Sequence, residues 1–288
     1  MIFELAVLFA FGAMLSWAFG DLLIQHATRK VGNVQTLAVI GIVGSIGLVP
    51  FILRDWWRLA SLENIVFLVA LGIITFITAI LDFEALKEGK LSVIDVIFEI
   101  ELPVTIALSM IFFKESLSVI QYVIIALMLC GMVLVATKSF SHWKNRLERG
   151  AWLALAAAIM MGVVNFMTAS SSRNISPMMA VWFPWVVYTI ICLAVIWQRE
   201  GIKDFGKNIV KFRWILLASG IVDTLAWIFY AFATRDGEIA IMTAITECFP
   251  AVAIFLGIWI NREKSNWHQY VGAILALGGA ITLALTVK

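Results

Sequence analysis

Glu99 and Glu247 lie deep inside two apolar segments of the chain, 148 residues apart. A carboxyl group at the centre of a membrane helix costs roughly 2.5–3.5 kcal/mol, so an acid kept there is expected to hold a proton, bind a cation or face water. Proline follows both, Pro103 four residues after Glu99 and Pro250 three after Glu247. Proline removes a backbone hydrogen bond and loosens the helix around it. An acid beside a weakened helix suits a midplane site for a solute or a coupling ion. Of the two, Glu99 is expected to be the more consequential.

Asp223 shares a helical face with Trp227 and Tyr230, at spacings of four and seven. A carboxylate beside aromatic rings would hold an organic cation, with cation–π attraction of up to about 2 kcal/mol where water is excluded. Asp21, followed by Gln25 and His26, aligns with Asn165 at an offset of 144 residues, so both halves place a polar group there. Trp17 lies one turn before Asp21, and Trp182 and Trp185 bracket Pro184, where they would narrow a cavity. Glu101 lies about 200° round the helix from Glu99 and is read as a structural residue. Asp82, Glu84 and Asp95, nearer the ends of their segments, are read as solvated.

Other chemistries find no pattern. Cys130, Cys192 and Cys248 are widely separated within apolar runs, which argues against a disulfide framework or a thiolate metal site. His26, His142 and His268 lie near segment ends, away from the cysteines, and no metal or other cofactor is implied. No His-Glu-x-x-His, Gly-x-Ser-x-Gly or Gly-x-Gly-Asp motif supports an enzyme. The bases are scattered through the connections without interleaved aromatics, so no nucleic-acid partner is expected.

The elements that must position these residues are membrane helices. Of the 288 residues, 62% are hydrophobic and 14% charged, against about 25% charged in soluble proteins. Runs long enough to cross the hydrocarbon core fall at 4–28, 34–53, 63–86, 92–113, 118–138, 150–170, 178–198, 212–234, 239–260 and 267–287. Most connections are short, so neighbouring helices run antiparallel and the lipid bilayer is the principal partner. The apolar first run exceeds a signal-peptide core and is read as a retained helix.

The second half repeats the first. At offset 148, Glu115 falls on Glu263, Gln121-Tyr122 on Gln269-Tyr270, Gly89 on Gly237 and Gly131 on Gly279; at offset 144, Arg29 falls on Arg173. The polar stretch His142-Trp143-Lys144-Asn145-Arg146 divides the chain into five-helix repeats, 1–140 and 149–288. Five crossings are odd, so the second repeat enters from the opposite side: an all-α integral membrane protein of ten transmembrane helices in two inverted-topology repeats. Fifteen of the 21 Lys and Arg residues fall in the odd-numbered connections, which by the positive-inside rule places both termini away from the cytoplasm. Lys114-Glu115 and Arg262-Glu263 are read as helix-terminating polar clusters. Gly272, Ala276 and Ala280 form a small-residue face for packing within the protein or between protomers, so monomer and homodimer both remain open. Gly41, Gly44 and Gly47 would soften the second helix or pack it closely.

The ten spans, the repeat and the ends of spans four and nine together resemble EamA-type members of the drug/metabolite transporter superfamily. The resemblance runs from Tyr230-Ala231-Phe232-Ala233 through Pro250 to Arg262-Glu263 and Gln269-Tyr270-Val271-Gly272-Ala273, with Lys114-Glu115 and Gln121-Tyr122 as counterparts. The family commonly has Leu-Gly-Glu at these helix ends; here Phe113-Lys114-Glu115 and Asn261-Arg262-Glu263 keep only the glutamate. The resemblance implies a multi-pass protein of the plasma (inner) membrane. It also implies both termini in the cytoplasm, opposite to the loop count.

The expected function is secondary active transport, by alternating access, of a small organic solute that is cationic or zwitterionic, such as an amine or amino acid. Glu99 and Glu247 are the candidates for proton or cation coupling. Asp223, Asp21, Asn165, Trp227, Tyr230, Trp17 and Trp182 are the other candidates for the site. A lipid flippase, a non-transporting scaffold and an intramembrane enzyme with paired carboxylates are the competing readings.

Overall fold

The computed structural model describes residues 2–88, 91–137, 149–199, 201–261 and 265–287. Gly89, the His142–Arg146 stretch and the Arg262-Glu263 pair lie outside these, as does the Asp95 side chain. Each of the ten apolar runs is helical, because lipid offers no partner to backbone N–H and C=O groups and a helix satisfies them internally. The first repeat comprises α1 (Ile2–Val31), α2 (Asn33–Gly47), the short α3 (Val49–Ile52), α4 (Leu62–Glu88), α5 (Leu91–Phe98), α6 (Glu101–Phe113) and α7 (Val119–Ala136). The second comprises α8 (Arg149–Asn174), α9 (Pro177–Arg199), α10 (Ile202–Asp236), α11 (Ile239–Thr246), α12 (Phe249–Asn261) and α13 (Trp267–Ala284). Among the described residues, eight stretches are long and apolar enough to cross a membrane unaided. The α2–α3 pair and α13 complete the ten.

The repeat is visible in the helix boundaries. An offset of 148 carries α5 onto α11, α6 onto α12 and α7 onto α13, residue for residue. Spans four and nine are each broken in two, at Glu99-Ile100 and at Glu247-Cys248. Proline accounts for the position of both breaks: Pro103 and Pro250 fall in the first turn of α6 and α12, where a missing N–H has no intrahelical partner to lose. The chain crosses each break on tight turns, with the Ile100 amide donating to the Ile97 carbonyl at 3.1 Å and the Cys248 amide to the Ile245 carbonyl at 3.3 Å. Elsewhere proline acts unevenly. The second span breaks before Pro50, whereas α9 runs through Pro184.

Packing crosses between the repeats. α1 lies along α10, and its counterpart α8 lies along α4, the counterpart of α10; α2 pairs with α9 and α7 with α13. Gln121 and Gln269 serve these contacts identically. Each accepts the amide of its helix N-cap, Ser118 at 2.8 Å and Asn266 at 2.9 Å, and each side-chain amide then reaches the far end of the partner helix. Gln121 donates to Thr286 Oγ1 at 3.2 Å, and Gln269 to the Val135 carbonyl at 2.9 Å. Between these ends a Cβ added at Gly131 would lie 2.7 Å from the Gly272 carbonyl oxygen. The small-residue face of α13 is therefore used inside the protein.

One end of the bundle is sealed where α6, α8 and α10 finish and α11 begins. Glu238, the N-cap residue of α11, makes no capping bond. Glu115, from the other repeat, caps the helix instead, its two carboxylate oxygens accepting the amides of Ile239 at 2.8 Å and Ala240 at 3.0 Å. Arg173 completes the joint by donating to Glu115 at 2.7 Å and to the carbonyls of Thr234 at 2.8 Å and Gly237 at 2.5 Å. Its guanidinium also lies over the Phe113 ring, 4.8 Å from the centroid. The cluster read from sequence as a helix terminator thus joins the ends of four helices, α6, α8, α10 and α11.

Replacing Gly131 with leucine should overpack the α7–α13 crossing and destabilise the protein by about 1–3 kcal/mol. Gly278→Leu, which meets nothing within 4 Å, should leave the melting temperature in detergent unchanged. Glu238 lies between spans and carries a raised pKa, through desolvation first and the neighbouring Glu115 charge second. The folded protein then binds the Glu238 proton more tightly than the unfolded chain, so its contribution to stability falls as pH rises above the ordinary value of 4.5. Glu238→Gln should raise the melting temperature at neutral pH and flatten that decline.

Candidate functional site

The two helix breaks bring acids from both repeats together. Glu247 caps the end of α11 and Glu101 begins α6, and the two border the same two cavities. Asn165, on α8, donates its amide to Glu247 Oε1 at 3.1 Å. Asn165 is fixed from behind by Tyr230, whose hydroxyl donates to the Asn165 carbonyl at 3.2 Å and lies 3.0 Å from Thr243 Oγ1. Tyr230 is fully buried. It supports the site and lines neither cavity described below.

The acid pair stands where two cavities meet. The first, of about 260 Å³, has a wall of rings from three helices: Trp17 and Trp227 pack edge to face at 5.2 Å, Trp185 meets Trp227 at 5.6 Å, and Tyr188 meets Trp185 at 5.3 Å. Asp21, Asp82 and Asp223 line it together with Glu101 and Glu247. The second, of about 520 Å³, is more polar and includes Glu99, Gln25, Asn266 and Gln269. Asp21, Glu101, Glu247 and Phe249 belong to both. The second cavity also takes in Val135 and Ala136, at the end of α7 and the end of the bundle opposite the Glu115 joint. Among the described residues no Lys, Arg or His lines either cavity, and no three His, Cys, Asp or Glu side chains gather to hold a metal ion.

Of the residues singled out from sequence, Trp17, Asp21, Asn165, Asp223, Trp227 and Glu247 line the first cavity. Glu99 lines only the second. Trp182 lies elsewhere: its indole N–H donates to the Ser45 carbonyl at 2.8 Å and its ring packs 5.7 Å from Trp56. Trp185, on the other side of Pro184, takes the place on the wall. It enters the space left by Gly44 of α2, where an added Cβ would come 2.5 Å from the Trp185 ring. Glu101 and Asp82 were read as structural and solvated, yet both line the first cavity. For Glu101 the angle to Glu99 assumed one continuous helix, and the break at Glu99-Ile100 removes that assumption.

Comparison with known proteins agrees with this architecture. The model of the EamA-like transporter family matches residues 4–137 and again 148–285. Among solved structures, 29 chains match. One, described as "Crystal structure of protein", shares 16% identity at a TM-score of 0.77, over 98% of this chain and 96% of that one. At that identity the likeness is one of fold. No curated protein matches. The matched family comprises transporters and not enzymes, which sets aside the intramembrane-enzyme reading. With its all-helical, two-repeat, multi-pass architecture, this chain belongs to the EamA-like transporter family.

Proposed function

We propose that the protein moves a small organic cation or zwitterion, an amine before an amino acid, across the membrane by alternating access coupled to a proton or other cation. One observation carries the reading: the first cavity joins five carboxyl groups to an aromatic wall, and among the described residues no base lines it. An ammonium group there gains a counter-charge, worth about 4 kcal/mol at 4 Å for an effective dielectric constant near 20, and cation–π contact as well. The carboxylate of a zwitterion would have to rely on neutral donors, and a multiply anionic solute would meet repulsion alone. At about 260 Å³ the space lies just below the usual range of ligand pockets, which starts at about 300 Å³. A metabolite-sized solute suits it.

Alternating access draws support from the asymmetry of the bundle. The Glu115–Arg173 joint binds one end while the polar cavity extends toward the other. Repeats of inverted topology can exchange such arrangements by rocking around a fixed central site.

Uptake of primary amines, quaternary ammonium compounds and amino acids into proteoliposomes, with and without a proton gradient, tests the proposal. Saturable transport of an amine is expected. Trp227→Ala should raise its KM by up to about 30-fold, the equivalent of about 2 kcal/mol of cation–π attraction. Asp223→Asn should weaken transport of cations more than that of zwitterions. Absence of saturable transport for every amine and amino acid would overturn the reading, and movement of labelled lipid in their place would favour a flippase.

A further inference from the structure

The geometry points to a binding site for the headgroup of an anionic phospholipid at the corner where α1 ends and α10 begins, with Lys30 and Lys211 as its principal ligands. The site lies outside both cavities. It does not depend on which solute the protein carries.

α10 is longer than a span requires. Its 35 residues measure about 50 Å at about 1.5 Å per residue, against a hydrocarbon core of about 30 Å. The helix is kinked at Phe212, where φ is −113° and ψ 21°, and residues 202–211 before the kink are amphipathic. Lys203, Lys207 and Lys211 recur every four residues and are exposed, while Phe205 is buried in the core and Ile209 packs against it. Ile202, Val210 and Trp214 point outward, all exposed. A basic amphipathic stretch with outward apolar side chains suits the membrane interface, where tryptophan concentrates.

At the kink, two bases converge on one ring. The Lys30 ammonium, from the last turn of α1, lies 5.3 Å from the Phe212 centroid, and that of Lys211 lies 5.1 Å from it. Arg213 follows, its guanidinium 5.6 Å from the Trp214 centroid. Among the described residues no carboxylate forms an ion pair with Lys30, Lys211 or Arg213. The nearby Asp204 is taken by Lys207 at 2.9 Å. At the opposite end of the bundle Arg58, Arg173 and Arg235 each have an acidic partner.

A phosphodiester headgroup supplies the negative charge that this corner lacks, and its acyl chains would cover Val210 and Trp214. A soluble polyanion would leave those side chains exposed. Because α1 belongs to the first repeat and α10 to the second, a phosphate between Lys30 and Lys211 ties the repeats together. It does so at the end toward which the polar cavity extends.

Scintillation-proximity binding of radiolabelled dioleoylphosphatidylglycerol to the purified full-length protein in detergent tests this. Unlabelled phosphatidylglycerol should compete, whereas dioleoylphosphatidylcholine and excess inorganic phosphate should not. Each base beside an anionic lipid surface contributes about fivefold in affinity, so Lys30→Gln with Lys211→Gln should weaken binding about 25-fold, and either change alone about fivefold. Lys30→Arg with Lys211→Arg keeps both charges and should retain binding. So should Arg54→Gln with Arg235→Gln, which removes the same charge from the opposite end. Equal competition by phosphatidylcholine would overturn the proposal, and displacement by inorganic phosphate would make the ligand a free anion instead. Equal losses in the two double glutamine variants, or unaltered affinity in both single ones, would also overturn it.

Discussion

A chain inside lipid can interrupt its own helical hydrogen bonding only where protein or a water-lined cavity takes over the freed groups. That constraint governs this molecule. Both interruptions near the site occur in equivalent helices, at Glu99-Ile100 and Glu247-Cys248, and both border cavities. Because the breaks are sheltered, each acid beside them meets polar or acidic neighbours instead of lipid. Because the helices are equivalent and inverted, acids from opposite repeats approach one another near the centre of the bundle.

The two repeats share an architecture and differ in side chains. At one break Asn165 holds Glu247; the residue aligned with Asn165 is Asp21, which lines the second cavity with Glu99. Opposite Glu101 stands Phe249, and both reach each cavity. Inversion thus positions corresponding atoms at a common centre, while substitution gives one side an amide donor and the other an additional acid. The Glu115–Arg173 joint extends the principle to the periphery, since a side chain from one repeat caps a helix of the other.

Most of the fold was legible in the sequence because its cause is local: a run of about 20 apolar residues must be helical in lipid. The repeat was equally plain, and the Gln121 and Gln269 pairings explain why those residues recur. The site was less legible. Asp21, Asn165, Asp223 and Trp227 were recognisable because polarity or aromaticity in the middle of a span is conspicuous. Glu101 was hidden by a continuous helical wheel, and Trp185 could not be told from Trp182 without seeing which ring enters the space beside Gly44. Glu115 was visible as a charged helix end, but its target lies 124 residues away at Ile239. Long-range partnership of that kind leaves no local pattern.

The close approach of Gly131 and Gly272 has a mechanical meaning. At Gly131 and Gly272 the two backbones meet directly, and Leu134, Leu275 and Met128 pack closely on either side of that crossing. The glutamine bonds at both ends fix their register as well. The α7–α13 pair is thereby held at its crossing and at both ends. A displacement between the repeats would then be taken up at their other contacts, of α1 with α10, of α4 with α8 and of α2 with α9.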